Sequence, residues 1–92
     1  MAEARARIGS HRGLHTRPAA LAAAYAASLG APVRLARAGE GAPEWCDAAS
    51  TMELLLLDLA RGDEVRLRCD APGGERIVAR MADFLSRDHD AA

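Results

Sequence analysis

The chain has 92 residues and a formal net charge of −1, so it lacks the basic footprint of a domain that tracks a phosphate backbone, and no nucleic-acid partner is expected. Half of it (50%) is hydrophobic, yet only 3% is aromatic, which calls for thin, closely approached layers instead of a core of large side chains. A chain this short forms one domain, residues 1–92, and cannot wall off a deep cavity, so its chemistry belongs on the surface.

No stretch approaches the roughly 20 apolar residues of a membrane helix, and Met1 to Gly9 lacks the apolar run of a signal peptide. A cytoplasmic protein with no membrane partner is expected. Cys46 and Cys69 stand alone, without a second pair or a histidine at ligand spacing; two reduced thiols are expected, with no metal and no cofactor.

From Ala4 to Ile8, alanine alternates with arginine, the pattern of a strand with one wet face. Gly9 to Thr16 is a loop. It opens a helix that runs from Arg17-Pro18 through an alanine-rich run to Gly30, since proline fits a first helical turn and glycine a terminator. Proline biases the residue before it away from helical angles, so Thr16 or Arg17 is the expected cap, with His15 at the mouth of the helix. Val33 and Leu35 around Arg34 predict a second strand. Gly39 to Pro43 is a turn before a short edge strand at Glu44 to Asp47.

Ser50-Thr51-Met52-Glu53 matches a capping box, in which the serine and a glutamate three residues on satisfy each other's free backbone donors. A leucine-dense helix should follow to about Ala60. Val65, Leu67 and Cys69 alternate with Glu64, Arg66 and Arg68 as a strand, and Pro72-Gly73-Gly74 turns the chain. Ile77, Met81, Phe84 and Leu85 share one face of a last helix, after which the polar tail is expected to fray. The order predicts an α+β open-faced sandwich: a four-stranded sheet with three helices on one face.

The densest chemistry lies at Gly13-Leu14-His15-Thr16-Arg17-Pro18. A helix N-terminus carries about half a positive charge and unpaired N–H groups, which favour an anion and disfavour imidazolium. His15 is therefore a candidate nucleophile. Arg17 offers a guanidinium fork to phosphate oxygens, and Gly13 lets another backbone approach. His11 and His89 stand in polar stretches as solvated histidines without a role.

Gly13-Leu14-His15-Thr16-Arg17-Pro18-Ala19 resembles the active-site motif of the HPr family, the histidine phosphocarriers of the bacterial phosphoenolpyruvate-dependent sugar phosphotransferase system. Ser50-Thr51-Met52 with its leucines, and Gly62-Asp63-Glu64-Val65, fall where that family has its second site and following strand, and the resemblance runs along almost the whole chain. It implies an antiparallel sheet and phosphorylation of His15 on a ring nitrogen by enzyme I. Arg17 assists, with Thr16, Arg17 and Pro18 as the phosphate-binding turn, and the phosphoryl group passes on to sugar-specific IIA domains. It also implies a monomer that docks through Thr51, Met52, Leu55 and Leu56, and marks Ser50 as a regulatory phosphorylation site for a serine kinase in some members. Glu53 stands where the family usually has glycine; its carboxylate would repel a phosphate on Ser50, so helix capping is the expected role of that serine.

Three other readings compete, of which a purely structural protein leaves the convergence of chemistry at residues 13 to 18 unexplained. A regulatory or nitrogen-related relative would share the chemistry of His15 but not the sugar-transport partners. A small hydrolase built on His15 and Arg17 would need a general acid or base, and none stands at a recognisable spacing.

Overall fold

The computed structural model describes residues 1–90. In chain order the elements are β1 (Ala2–Arg7), α1 (Thr16–Ala27), β2 (Arg34–Arg37), β3 (Cys46–Asp47), α2 (Thr51–Leu56), β4 (Glu64–Cys69) and α3 (Gly74–Ser86). The sheet runs β1-β4-β2-β3 with every pairing antiparallel. Register follows from alternation: Ala6 opposes Val65, Ala4 and Leu35 oppose Leu67, and Ala2 opposes Cys69, which turns the apolar side of each strand to the same face.

The helices cover that face. Ala19, Ala22, Ala23 and Ala26 of α1 and Val78, Met81 and Leu85 of α3 are buried with Leu35, Val65 and Leu67 in one apolar cluster. Alanines let α1 approach closely, as the scarcity of aromatics requires. A fully buried leucine such as Leu35 or Leu67 contributes about 2–3 kcal/mol relative to exposure. The opposite face carries Arg5 paired with Glu64 at 3.1 Å, Arg66 with Glu3 at 3.0 Å and Arg68 with Asp70 at 3.3 Å. Such exposed pairs keep the face wet and stabilise little. The Trp45 ring beside the short edge strand lies 5.2 Å from the Arg66 guanidinium and 5.8 Å from that of Arg68, a cation–π cover for the sheet edge.

Several boundaries differ from the sequence expectation. β1 begins at Ala2 because pairing with β4 reaches Cys69, and β2 extends to Arg37 opposite Val65. α2 stops at Leu56, one turn early. There Leu57 and Asp58 N–H groups bond three residues back, and Asp58 takes φ 49°. Arg37 Nη2 donates to the carbonyls of Leu57 (2.5 Å) and Asp58 (3.3 Å), and Asp63 holds Arg37 Nη1 at 2.8 Å. These carbonyls therefore gain partners outside the helix. The capping box is half closed: Ser50 Oγ accepts the Glu53 N–H at 3.2 Å, but the Glu53 carboxylate accepts the Asp47 N–H at 3.3 Å. The Ser50 N–H is already bonded to the Asp47 carbonyl at 3.0 Å, so it has no need of Glu53.

Residues 87–90 correct the expectation of fraying, which for residues 91 and 92 lies outside the described residues. After α3 the chain doubles back, with the His11 N–H on Asp88 Oδ1 at 3.0 Å and the His89 N–H on the buried Ser10 Oγ at 3.2 Å.

Candidate functional site

His15 is itself the N-cap of α1, with ψ at −171°, which makes Thr16, Arg17 and Pro18 its first turn. The sequence expectation of a cap at Thr16 or Arg17 is corrected by one or two residues. A proline in the third helical position costs no hydrogen bond, because the first N–H groups of a helix have no intrahelical acceptor. Among the described residues no side chain caps these donors and no acidic residue stands in the first turn, so nothing within the helix itself offsets the positive end of its dipole at His15.

The approach to the helix is fixed by backbone. Gly13 has φ +78°, a left-handed conformation that glycine adopts without strain. Its N–H bonds to the Ser10 carbonyl and the Leu14 N–H to the Leu59 carbonyl, both at 2.8 Å, and the Leu14 side chain is buried. His15 is thereby held at the surface with its side chain 41% exposed. Thr16 and Arg17 are exposed beside it. Pro18 is buried and has no N–H to donate to an anion.

His11, Arg12, His15, Arg17, Asp88 and Asp90 line one depression. Asp90 Oδ1 lies 2.6 Å from His15 Nε2, and Oδ2 accepts the Arg12 N–H at 2.9 Å. Asp88 Oδ1 accepts the N–H groups of His11 and Asp90, each at 3.0 Å. The Arg12 N–H, and then the His15 ring, hold the Asp90 carboxyl below its ordinary range. The N–H groups of His11 and Asp90 do the same for Asp88. His89 is not a solvated histidine. Its ring stacks on Phe84 at 4.0 Å, Phe84 stacks on Tyr25 at 4.4 Å, and its Nε2 donates to the Phe84 carbonyl. His11 stays exposed, its Nδ1 3.2 Å from Arg61 Nη1.

The sequence reading missed Asp88 and Asp90. The spacing of the tail carries no signal that it returns to a loop 75 positions earlier; a pair of aspartates flanking a histidine was the available hint. Among the described residues no cluster of histidine, cysteine or carboxylate side chains could hold a metal ion.

Beside this site, α2 presents Met52 (72% exposed), Leu55 (38%) and Leu56 (78%), with Thr51 half-buried and Leu54 fully buried beneath them. Leu21, the large apolar residue amid the alanines of α1, is also exposed; it too went unremarked in the sequence. Ser50 is half-buried and capping α2. Among the described residues no helix is long and apolar enough to cross a membrane.

An open-faced sandwich with a histidine at the bare start of its first helix has the architecture of the small phosphoryl-group carriers. Residues 2–87 match the sequence pattern of the family described as PTS HPr component phosphorylation site. Over 86 residues the chain is 38% identical to the phosphocarrier protein HPr of Streptomyces coelicolor, covering 94% of this chain and 89% of that one. Among solved structures it is similar to HPr-C-His from Thermoanaerobacter tengcongensis (TM-score 0.76, 26% identity, 92% of this chain and 91% of that one). For the fold alone, it is similar to a phosphocarrier protein HPr from Bacillus anthracis (TM-score 0.79, 21% identity, 91% and 95%). The chain belongs to the HPr family, whose members are phosphocarriers of the phosphotransferase system and not catalysts.

Proposed function

We propose that His15 is the phosphoryl acceptor, that phosphoenolpyruvate-charged enzyme I is the donor, and that IIA domains of sugar permeases receive the group. The observation that carries this reading is the position of His15: a half-exposed imidazole at the N-cap of a helix whose first-turn amides and Arg17 are open to an anion. A ring nitrogen of His15 attacks phosphorus on the donor's phosphohistidine. The new N–P bond forms as the old one breaks, and the electron pair returns to the donor ring. Thr16 and Arg17 N–H groups and the Arg17 guanidinium meet the phosphoryl oxygens, while Pro18 keeps the turn rigid.

The protein acts as a single-domain cytoplasmic monomer that docks through Thr51, Met52, Leu55 and Leu56. A small apolar patch gives weak, fast complexes, which suits a carrier that must leave each partner every cycle.

Incubation with phosphoenolpyruvate and enzyme I, followed by intact-mass analysis in base and in acid, tests the assignment. One acid-labile phosphate is expected, absent in His15→Ala; phosphate retained in that variant sinks it. Arg17→Ala should slow acceptance by about tenfold, the worth of one charge-assisted hydrogen bond.

A further inference from the structure

We propose that Asp90 is the positioning residue for His15: its carboxylate holds the ring by Nε2–H, so that Nδ1 carries the lone pair that attacks phosphorus. This rests on His15 being the acceptor and adds a residue that the family motif at 13–18 does not contain.

Each oxygen of Asp90 has one donor, Arg12 N–H on Oδ2 at 2.9 Å and the His15 ring on Oδ1 at 2.6 Å. The carboxylate is thus anchored to backbone before it meets the ring, and its side chain is only 12% exposed. The segment carrying it is fixed independently, by Asp88 on the His11 N–H, by the His89 N–H on Ser10 Oγ, and by the stacking of His89 on Phe84. An ionised carboxylate can only accept, so Nε2 must bear hydrogen and the neutral ring keeps its free pair on Nδ1. Among the described residues Nδ1 of His15 has no hydrogen-bond partner.

The transfer then balances without moving a proton. Nδ1 bonds to phosphorus, the donor's P–N pair returns to the donor, and the acceptor ring becomes a phosphoimidazolium whose Nε2–H still faces Asp90. Forward donation returns the pair to Nδ1.

Asp90→Asn separates positioning from tail anchoring. The amide has one oxygen, and the Arg12 N–H can be satisfied only by that oxygen. Its NH₂ group is then turned to the ring, demands an acceptor at Nε2 and drives hydrogen to Nδ1. The geometry survives while the tautomer is wrong, the effect that makes such a substitution severe in an Asp–His pair. Asp90→Ala leaves the ring free to sample both tautomers.

The experiment is ¹⁵N NMR of the histidine rings in the unphosphorylated protein at pH 8, beside acceptance rates from enzyme I. In the native protein Nε2–H is expected. In Asp90→Asn the spectrum shifts to Nδ1–H and the rate falls by about 100-fold, against about tenfold in Asp90→Ala. Retention of Nε2–H and of the native rate in Asp90→Asn overturns the proposal. So do equal losses in the two variants with an unchanged tautomer, which would leave Asp90 a tail anchor. If the tautomer shifts as expected but even the native protein takes no phosphate from an active enzyme I, the positioning stands and the carrier reading falls.

Discussion

Gly13 and Leu59 meet backbone to backbone: a Cβ on Gly13 would stand 2.5 Å from the Leu59 carbonyl oxygen, the same oxygen that accepts the Leu14 N–H at 2.8 Å. The loop that delivers His15 is thereby seated on the segment that follows α2, so the two surface features share one support. In Gly13→Ala the left-handed φ and the close carbonyl act together. A loss of about 1–3 kcal/mol in urea unfolding is expected, along with slower phosphate acceptance from a displaced His15. An unchanged unfolding midpoint would show that the loop does not need this contact.

Three carboxylates are held below their ordinary range. Asp63 is lowered by the Ala60 N–H and then Arg37, Asp88 by the N–H groups of His11 and Asp90, and Asp90 by the Arg12 N–H and then His15. A folded value below the unfolded one means that the unfolded chain binds protons first as pH falls. The stabilisation is therefore present above the ordinary carboxylate range of about 4 and is lost below it, through the depressed folded values. Urea midpoints should decline as pH falls from about 5, and the decline should be shallower in the double variant Asp88→Asn, Asp90→Asn. Identical pH profiles would show that the tail carboxylates gain nothing on folding.

What the sequence revealed and what it withheld divide along the range of the interactions. Alternation of Val65, Leu67 and Cys69 with charged neighbours is local, so β4 was legible; so was the helix after Pro18, which places His15 at its mouth. The end of α2 was not, because the groups that take its carbonyls come from Arg37, 20 positions back from Leu57. The Glu53 half of the capping box failed for a local reason instead: the turn after β3 had already used the Ser50 N–H, which bonds to the Asp47 carbonyl three residues back. Asp90 was invisible since its partner is set by how α3 returns across β1, and no periodicity encodes that.

The exposed apolar residues of α2 separate docking from stability. Leu56 and Met52 are already in water, at 78% and 72% exposure, so Leu56→Glu or Met52→Glu should change stability by less than about 0.5 kcal/mol. Acceptance from enzyme I should nevertheless weaken, read as a raised KM. Leu54, two residues from each and fully buried on the other side of α2, should behave in the opposite sense: Leu54→Ala costs about 2–5 kcal/mol of stability. Native transfer kinetics in both glutamate variants would move the docking surface elsewhere.

Cys46 offers a chemical probe of the β3–α2 corner. Burial, followed by the Glu53 and Asp47 carboxylates, pushes its thiol up to about 11, because each disfavours a thiolate. Thiolate is the form that alkylates, so at pH 8 Cys46 should react with iodoacetamide about 100-fold more slowly than an unperturbed thiol. Glu53→Gln removes one of the two charges while leaving an oxygen for the Asp47 N–H, and should quicken the reaction. Cys69, buried in the sheet, should react only on unfolding and serves as the internal control. Rapid alkylation of Cys46 in the native protein, with Cys69 still protected, would mean that the corner opens far more readily than its packing against α2 indicates.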